Sequence, residues 1–231
     1  MDKMVWEYVQ YDEKLAADMG AYLGVSPILG ALVLQRGYSD PLRAKMFMSP
    51  KLANLDDPFR LKNLRPAVLR IIEAIEKKQN ILVFGDYDVD GITSTTLLVS
   101  ILRLFGLNPS YFVPRRMEEG YGLSEAALER ALSAGKTDLL IALDCGTNAK
   151  EAIEYILSRG IDLIVVDHHQ AKDATDQNHI LINPHVFDFE GAPWRQLCTV
   201  GLVFKLAHGL IKEMRGRGNR QAWEINLKDY L

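Results

Sequence analysis

Asp86, Asp88 and Asp90 occupy alternate positions in ILVFGDYDVDGITSTT, directly after a short apolar run. Asp144 follows a similar run in LLIALDCGTN, and Asp167 another in IDLIVVDHHQ, where His168 and His169 come next. Carboxylates held close together repel by about 1 to 4 kcal/mol per pair at realistic dielectrics. A fold that gathers them needs a compensating charge, and divalent metal is the usual one. Carboxylate and imidazole together make a shell that suits manganese or magnesium better than calcium, with zinc also open. Gly91 and the hydroxyls of Thr93, Ser94 and Thr95 follow the first motif, a composition that suits phosphate at a helix start. The expected chemistry is hydrolysis of a phosphate ester at two ions, with Asp144 as the bridging carboxylate.

Each motif has a plainer reading to set beside this one. A calcium loop of the EF-hand type would need glutamate twelve positions along from Asp86, where Leu97 stands, so that reading fails. Asp144 could cap the helix after it, but the CGTN turn beside it offers N–H groups to an anion. Two adjacent histidines after a strand face opposite ways. His168 is therefore the expected ligand, and His169 a phosphate contact or a support for the ligands. Asp167 is either a ligand or the group that orients an imidazole. His185, in INPH, is read as a structural turn. Cys145 has no companion signature of a nucleophile and sits among carboxylates that disfavour its thiolate, so it is read as buried filler. Arg115 and Arg116 either grip a phosphodiester backbone or line a solvated loop. Lys212, Arg215, Arg217 and Arg220 read as a flexible exposed loop. Tyr87 and Tyr121 are the candidates for stacking on bases.

The elements that must position these groups begin at Asn80. Short β-branched runs at Ile81–Phe84, Ser110–Val113, Asp138–Leu143, Asp162–Val166 and His179–Ile182 alternate with helix-length segments. Helices are expected over Thr93–Phe105, from a Ser124 cap to near Gly135, and from Asn148 to Ser158, where Asn148 and Glu151 have capping-box spacing. The alternation predicts an α/β fold, with a mainly parallel five-stranded sheet flanked by helices. In such sheets ligands collect at the carboxyl ends of the strands, where every acidic motif falls. Residues 1–78 read as a helical segment packing on this core, including an amphipathic helix over Pro66–Lys78, and 79–231 as the catalytic domain.

The chain has 231 residues, a formal net charge of −3 and only two cysteines, Cys145 and Cys198. That charge excludes a basic nucleic-acid-coating protein but not a nucleic-acid substrate, since bound metal reverses the local field. Two unpaired cysteines point to a reduced, cytoplasmic setting. The N-terminus lacks the pattern of a signal peptide. The longest apolar stretch, YLGVSPILGALVL, is too short to span a bilayer and holds Pro27, so no membrane role is expected.

GDYDVDGITST, LDCGT and VVDHHQ resemble the DHH phosphoesterase superfamily and, within it, the RecJ branch. LQRGYSDPLRAKMFMSP, LDDPFRLKNLRPAVLRI, EEGYGLS, INPH and VGLVFKLAHGL resemble that branch in order and spacing. The resemblance covers roughly residues 28 to 231. It implies a 5′-to-3′ exonuclease on single-stranded DNA, using manganese or magnesium in DNA repair and recombination. Single-strand-binding protein and a helicase are implied as partners. It places metal ligands at Asp86, Asp88, Asp90, Asp144 and His168, and the second histidine, His169, at the scissile phosphate. A fourth family motif, with a further metal-binding aspartate, would fall beyond Leu231. The chain is therefore expected to hold its second ion weakly and to be impaired in activity. The alternatives are a phosphodiesterase of short oligonucleotides or cyclic dinucleotides, and a non-catalytic binding module.

Overall fold

The computed structural model of the chain describes residues 9–115, 122–172 and 178–231. It divides into two compact units, Met1–Asp56 and Asp57–Leu231. The first holds helices α1 (Glu13–Leu23), α2 (Pro27–Gln35) and α3 (Pro41–Met48), capped by the side chains of Asp12, Ser26 and Asp40. Each cap accepts a first-turn N–H that the helix cannot satisfy itself. The core of this unit is small: Met19, Val33 and Ala44, with Leu23, Leu34 and Tyr38 packed around them. No single helix among the described residues is long and apolar enough to cross a membrane.

The second unit opens with α4 (Leu64–Glu76), followed by β1 (Ile81–Gly85), α5 (Val89–Leu104), β2 (Ser110–Phe112), α6 (Glu125–Leu132) and β3 (Leu139–Leu143). After these come α7 (Lys150–Ser158), β4 (Asp162–Val166), β5 (Ile180–Ile182), α8 (Pro184–Phe187), α9 (Thr199–Gly216) and α10 (Arg220–Glu224). All five strands pair in parallel, in the order β2-β1-β3-β4-β5, as the alternation of strands and helices led one to expect. Alternation along the strands splits their side chains between two faces. Leu82, Phe84, Leu140, Ala142, Leu163 and Val165 pack with Ala127, Leu128, Ala131, Ala152, Ile153 and Ile156 of α6 and α7. Helices α4, α5 and α9 contact the sheet, and α9 packs against both α4 and α5. With both faces covered, the three central strands β1, β3 and β4 are buried almost throughout, while the edge strand β2 is largely exposed.

Four expectations differ from the structure. Helix α5 starts at Val89, four residues before Thr93, because the Asp88 carboxylate accepts the Gly91 N–H (2.9 Å) and caps it. Asn148 does not cap α7. Its side chain instead donates to the Gln170 carbonyl (2.9 Å) and accepts the Lys172 N–H (2.8 Å), bracketing the loop after His169. The basic run is ordered: Lys212 and Arg215 are helical in α9, and Arg215 donates to the Ala222 and Ile225 carbonyls. Helix α4, grouped above with residues 1–78, belongs to the second unit. There its buried Leu64, Val68, Ile71 and Ile72 meet α9 and β5, and Asn63 donates to the Leu181 carbonyl (2.8 Å).

Candidate metal centre

β1 and β3 are neighbours from which the chain winds outward in opposite directions, a topological switch point that opens a crevice at the strand ends. Asp86, Asp144 and Asp167 each lie one residue past a strand and extend the ladder across this rim. Their N–H groups bond the carbonyls of Leu143 (3.2 Å), Val166 (3.0 Å) and Ile182 (3.0 Å) respectively. All three carboxylates are buried. Gly91 lets the first turn of α5 close over Asp86, since a Cβ there would overlap the Asp86 backbone. Asp144 takes up a left-handed backbone conformation (φ 63°), which for a non-glycine residue is strained and is typical of functional sites.

The carboxylates have different surroundings. One oxygen of Asp86 accepts the Tyr87 N–H (2.8 Å), while Oδ2 is buried without a partner. Burial raises the Asp86 pKa above its ordinary value. Asp144 is lifted further, to about 7, by burial and by the neighbouring Asp90 and Asp88, against the opposing Thr199 hydroxyl that donates to it (2.8 Å). Asp90 accepts two N–H groups from the start of α9, Thr199 and Val200, each at 2.7 Å. The positive end of that helix thus faces the carboxylates. Each oxygen of Asp90 still keeps a free lone pair.

Asp167 is filled by donors. Oδ1 accepts the N–H groups of His168 (2.7 Å) and His169 (3.1 Å) and faces His169 Nδ1 (2.7 Å), while Oδ2 accepts the Thr147 N–H (3.0 Å). Burial alone would raise its pKa, but His169 and Thr147 together hold it near 2. The same bond to Asp167 raises His169 to about 9, so its ring is cationic at neutral pH. Of the two roles open to Asp167, orienting an imidazole is the one this geometry supports. His168 does not face away as two adjacent strand residues would: its ring lies beside that of His169, centroids 4.8 Å apart, with Nε2 at 3.5 Å from Asp144 Oδ1 and 3.6 Å from Asp90 Oδ2.

Ligand atoms of Asp86, Asp88 and Asp144 all lie within 4.8 Å of one another, as do those of Asp144, His168 and His169. Asp144 belongs to both groups. The orphaned Asp86 Oδ2, and an Asp144 carboxyl that burial and its acidic neighbours push towards the protonated form without a counter-charge, both fit a divalent cation.

Of the other expected residues, Arg115 is exposed in the loop after β2, and Arg116 and Tyr121 lie outside the described residues. Tyr87 is half-buried beside Asp86. Cys145 is buried, its thiol pKa driven well up by burial. Two groups that shape the site have no place in the sequence reading. Thr199 stands 55 positions from its partner Asp144, with no local signal to mark it. Asn183 ties Thr147 Oγ1 (2.9 Å) to the His169 carbonyl (2.8 Å), and its signs were its place directly after β5 and its position within INPH.

Residues 80–229 match the family model described as the DHH family, N-terminal domain. The chain is 31% identical over 214 residues to the single-stranded-DNA-specific exonuclease RecJ of Bacillus subtilis, covering 92% of this chain and 27% of that protein. With the Escherichia coli protein of the same name it shares 33% identity over 203 residues, covering 87% of this chain and 34% of that one. A crystal structure of RecJ bound to manganese superposes with a TM-score of 0.60 at 31% identity, over 67% of this chain and 38% of that one. RecJ of Thermus thermophilus in complex with Mn2+ gives 0.67 at 28% identity, over 87% of this chain and 28% of that one. The chain thus spans about a quarter to a third of the length of these curated relatives.

Proposed function

The chain belongs to the DHH family, and from that premise we propose that it is the catalytic part of a metal-dependent exonuclease acting on single-stranded DNA from the 5′ end. The observation that carries this reading is the shared position of Asp144 in two ligand groups, one with Asp86 and Asp88 and one with His168. Manganese or magnesium is the proposed cofactor, in keeping with the RecJ structures that hold Mn2+. Asp86, Asp88, Asp90, Asp144 and His168 are proposed to hold it. When bound, such ions supply Lewis acidity and neutralise charge on the phosphate and its attacking water.

The chain's own groups have distinct parts in this proposal. Thr199 fixes the rotamer of Asp144, and the first turn of α9 fixes Asp90. Asp167 holds His169 by Nδ1 and keeps it cationic, so that Nε2–H is free to donate to an oxygen of the scissile phosphate. Arg115 and Arg116 are proposed to contact the strand further along. By resemblance to the RecJ branch, the setting proposed is cytoplasmic DNA repair and recombination, alongside single-strand-binding protein and a helicase.

The test is hydrolysis of 5′- and 3′-labelled single-stranded oligonucleotides with Mn2+, beside duplex DNA and dinucleotides. Release of mononucleotides from the 5′ end of the single strand is expected. Asp144→Ala and His168→Ala should each lower the rate by at least about 1,000-fold, about 4 kcal/mol of barrier. Cleavage of dinucleotides alone would move the substrate assignment to short oligonucleotides, and full activity in Asp144→Ala would remove the metal centre from the reaction.

A further inference from the structure

His185 follows β5 and opens α8, and it is bolted to the loop that carries His168 and His169. The side chain of Asn183 makes the connection: its Nδ2 donates to the His169 carbonyl (2.8 Å), and its Oδ1 accepts the His185 N–H (2.9 Å). Gln170, the residue after His169, brings Nε2 to 3.1 Å from His185 Nδ1. Arg195, just before α9, places a guanidinium nitrogen 3.3 Å from the same ring atom and donates another to the Asp188 carbonyl (3.0 Å). A guanidinium can only donate, so Nδ1 must be the acceptor and the ring proton sits on Nε2. Burial, Arg195 and the nearby His168 also push the His185 pKa down, in agreement with a neutral ring. The result is an uncharged N–H donor backed by a fixed cation whose hydrogen bonds go to a carbonyl and an imidazole. Both side chains are half-exposed.

We propose that His185 and Arg195 form a second phosphate contact, next to the metal centre, which takes the internucleotide phosphate adjoining the one being cleaved. The pair itself presents donors and a positive charge, with the Asp188 carboxylate within electrostatic range of Arg195 and not hydrogen-bonded to it, and donors with a cation are the chemistry that recognises a phosphodiester anion. Its attachment to the His169 backbone sets it at a fixed offset from the reacting group, so it selects substrates that carry a further phosphate at that offset. Single-stranded nucleic acid is such a substrate, and an isolated phosphodiester is not. The inference rests on the phosphodiesterase reading above and goes beyond it by assigning two residues to substrate length.

The experiment compares a labelled pentathymidylate, with several phosphates, and bis(p-nitrophenyl) phosphate, with one, in the presence of Mn2+. For His185→Ala and Arg195→Ala, KM for pentathymidylate should rise about tenfold, about 1.4 kcal/mol, with kcat within about twofold. Hydrolysis of bis(p-nitrophenyl) phosphate should be unchanged. Arg195→Lys, which keeps the charge but loses the fork, should fall in between. An unchanged KM in both alanine variants overturns the proposal, and so do equal losses on both substrates, which mark a purely structural role. Should the wild-type chain hydrolyse neither substrate, the nuclease reading falls by itself. The pair is then judged by fluorescence anisotropy with the same pentathymidylate: about tenfold weaker binding in the alanine variants sustains it, and equal binding overturns it.

Discussion

A carboxylate that receives four donors does different work from one left with an orphan oxygen, and at the scale of single residues this separates Asp167 from Asp86. The Asp167–His169 pair has a defined pH signature. Asp167 is depressed to about 2 in the folded chain, so its contribution is present above its unfolded value near 4 and lost as pH falls through 2. His169 is raised to about 9, so its contribution is complete below its unfolded value near 6.5 and lost as pH climbs through 9. Both describe one interaction, of about 2 kcal/mol. In chelator-treated protein the stability gap between wild type and Asp167→Asn should therefore be widest between about pH 4 and 6.5 and narrow on either side. A gap that stays constant from pH 3 to 9 in urea titrations would show that the pair is not ionised. The order of letters in DHH announced both groups, but not which oxygen met which nitrogen. Adjacent residues face opposite ways only while the backbone stays extended, and here both N–H groups turn in towards Oδ1 of Asp167.

At the scale of elements, the strands and their acidic tips were legible because a strand buried on both faces writes an unbroken apolar run, and the polar residue that ends it is conspicuous. The part that the start of α9 plays in the site was not legible. Thr199 and Val200 act through two backbone N–H groups and one hydroxyl, and a backbone donor leaves no mark on the choice of residue. His185 was read as a turn residue for the same reason, since only its tertiary neighbours Gln170 and Arg195 set its tautomer. The helix start makes a separate prediction. Thr199→Val keeps the shape of the side chain but removes the donor that counters the upward push on Asp144. The carboxyl should then hold its proton more tightly and compete less well for a cation. Loss of such a supporting hydrogen bond typically costs 10- to 100-fold in metal affinity, so calorimetric titration with Mn2+ should weaken by about that factor. Unchanged affinity would make Thr199 a helix-packing residue and nothing more.

At the scale of the molecule, the helix that divides the possible domain boundaries is α4. An account that separates a helical segment at residue 78 leaves α4 out of the catalytic unit, whereas contacts group it with everything from Asp57 onward. The stability at stake is large. Leu64, Val68, Ile71 and Ile72 are buried in the second unit, and side chains of this kind contribute about 1.5–3 kcal/mol each. Together that approaches the roughly 5–15 kcal/mol that holds a whole domain folded. The ion pair of Arg70 with Asp162 (2.7 Å) and the Asn63 bond to β5 would be lost along with them. A fragment of residues 57–231 should therefore unfold cooperatively and bind Mn2+, since it holds the sheet, α4 and every carboxylate of the cluster. A fragment of residues 79–231 should lack a cooperative transition or aggregate through the bared face of β5 and α9. Residues 1–56 alone, with their small core and with Leu15, Ile28 and Leu42 exposed, should show no cooperative transition either. Thermal unfolding of the three fragments followed by circular dichroism decides the matter. If 79–231 melts as sharply as 57–231, α4 is an accessory to the catalytic unit rather than a wall of its core.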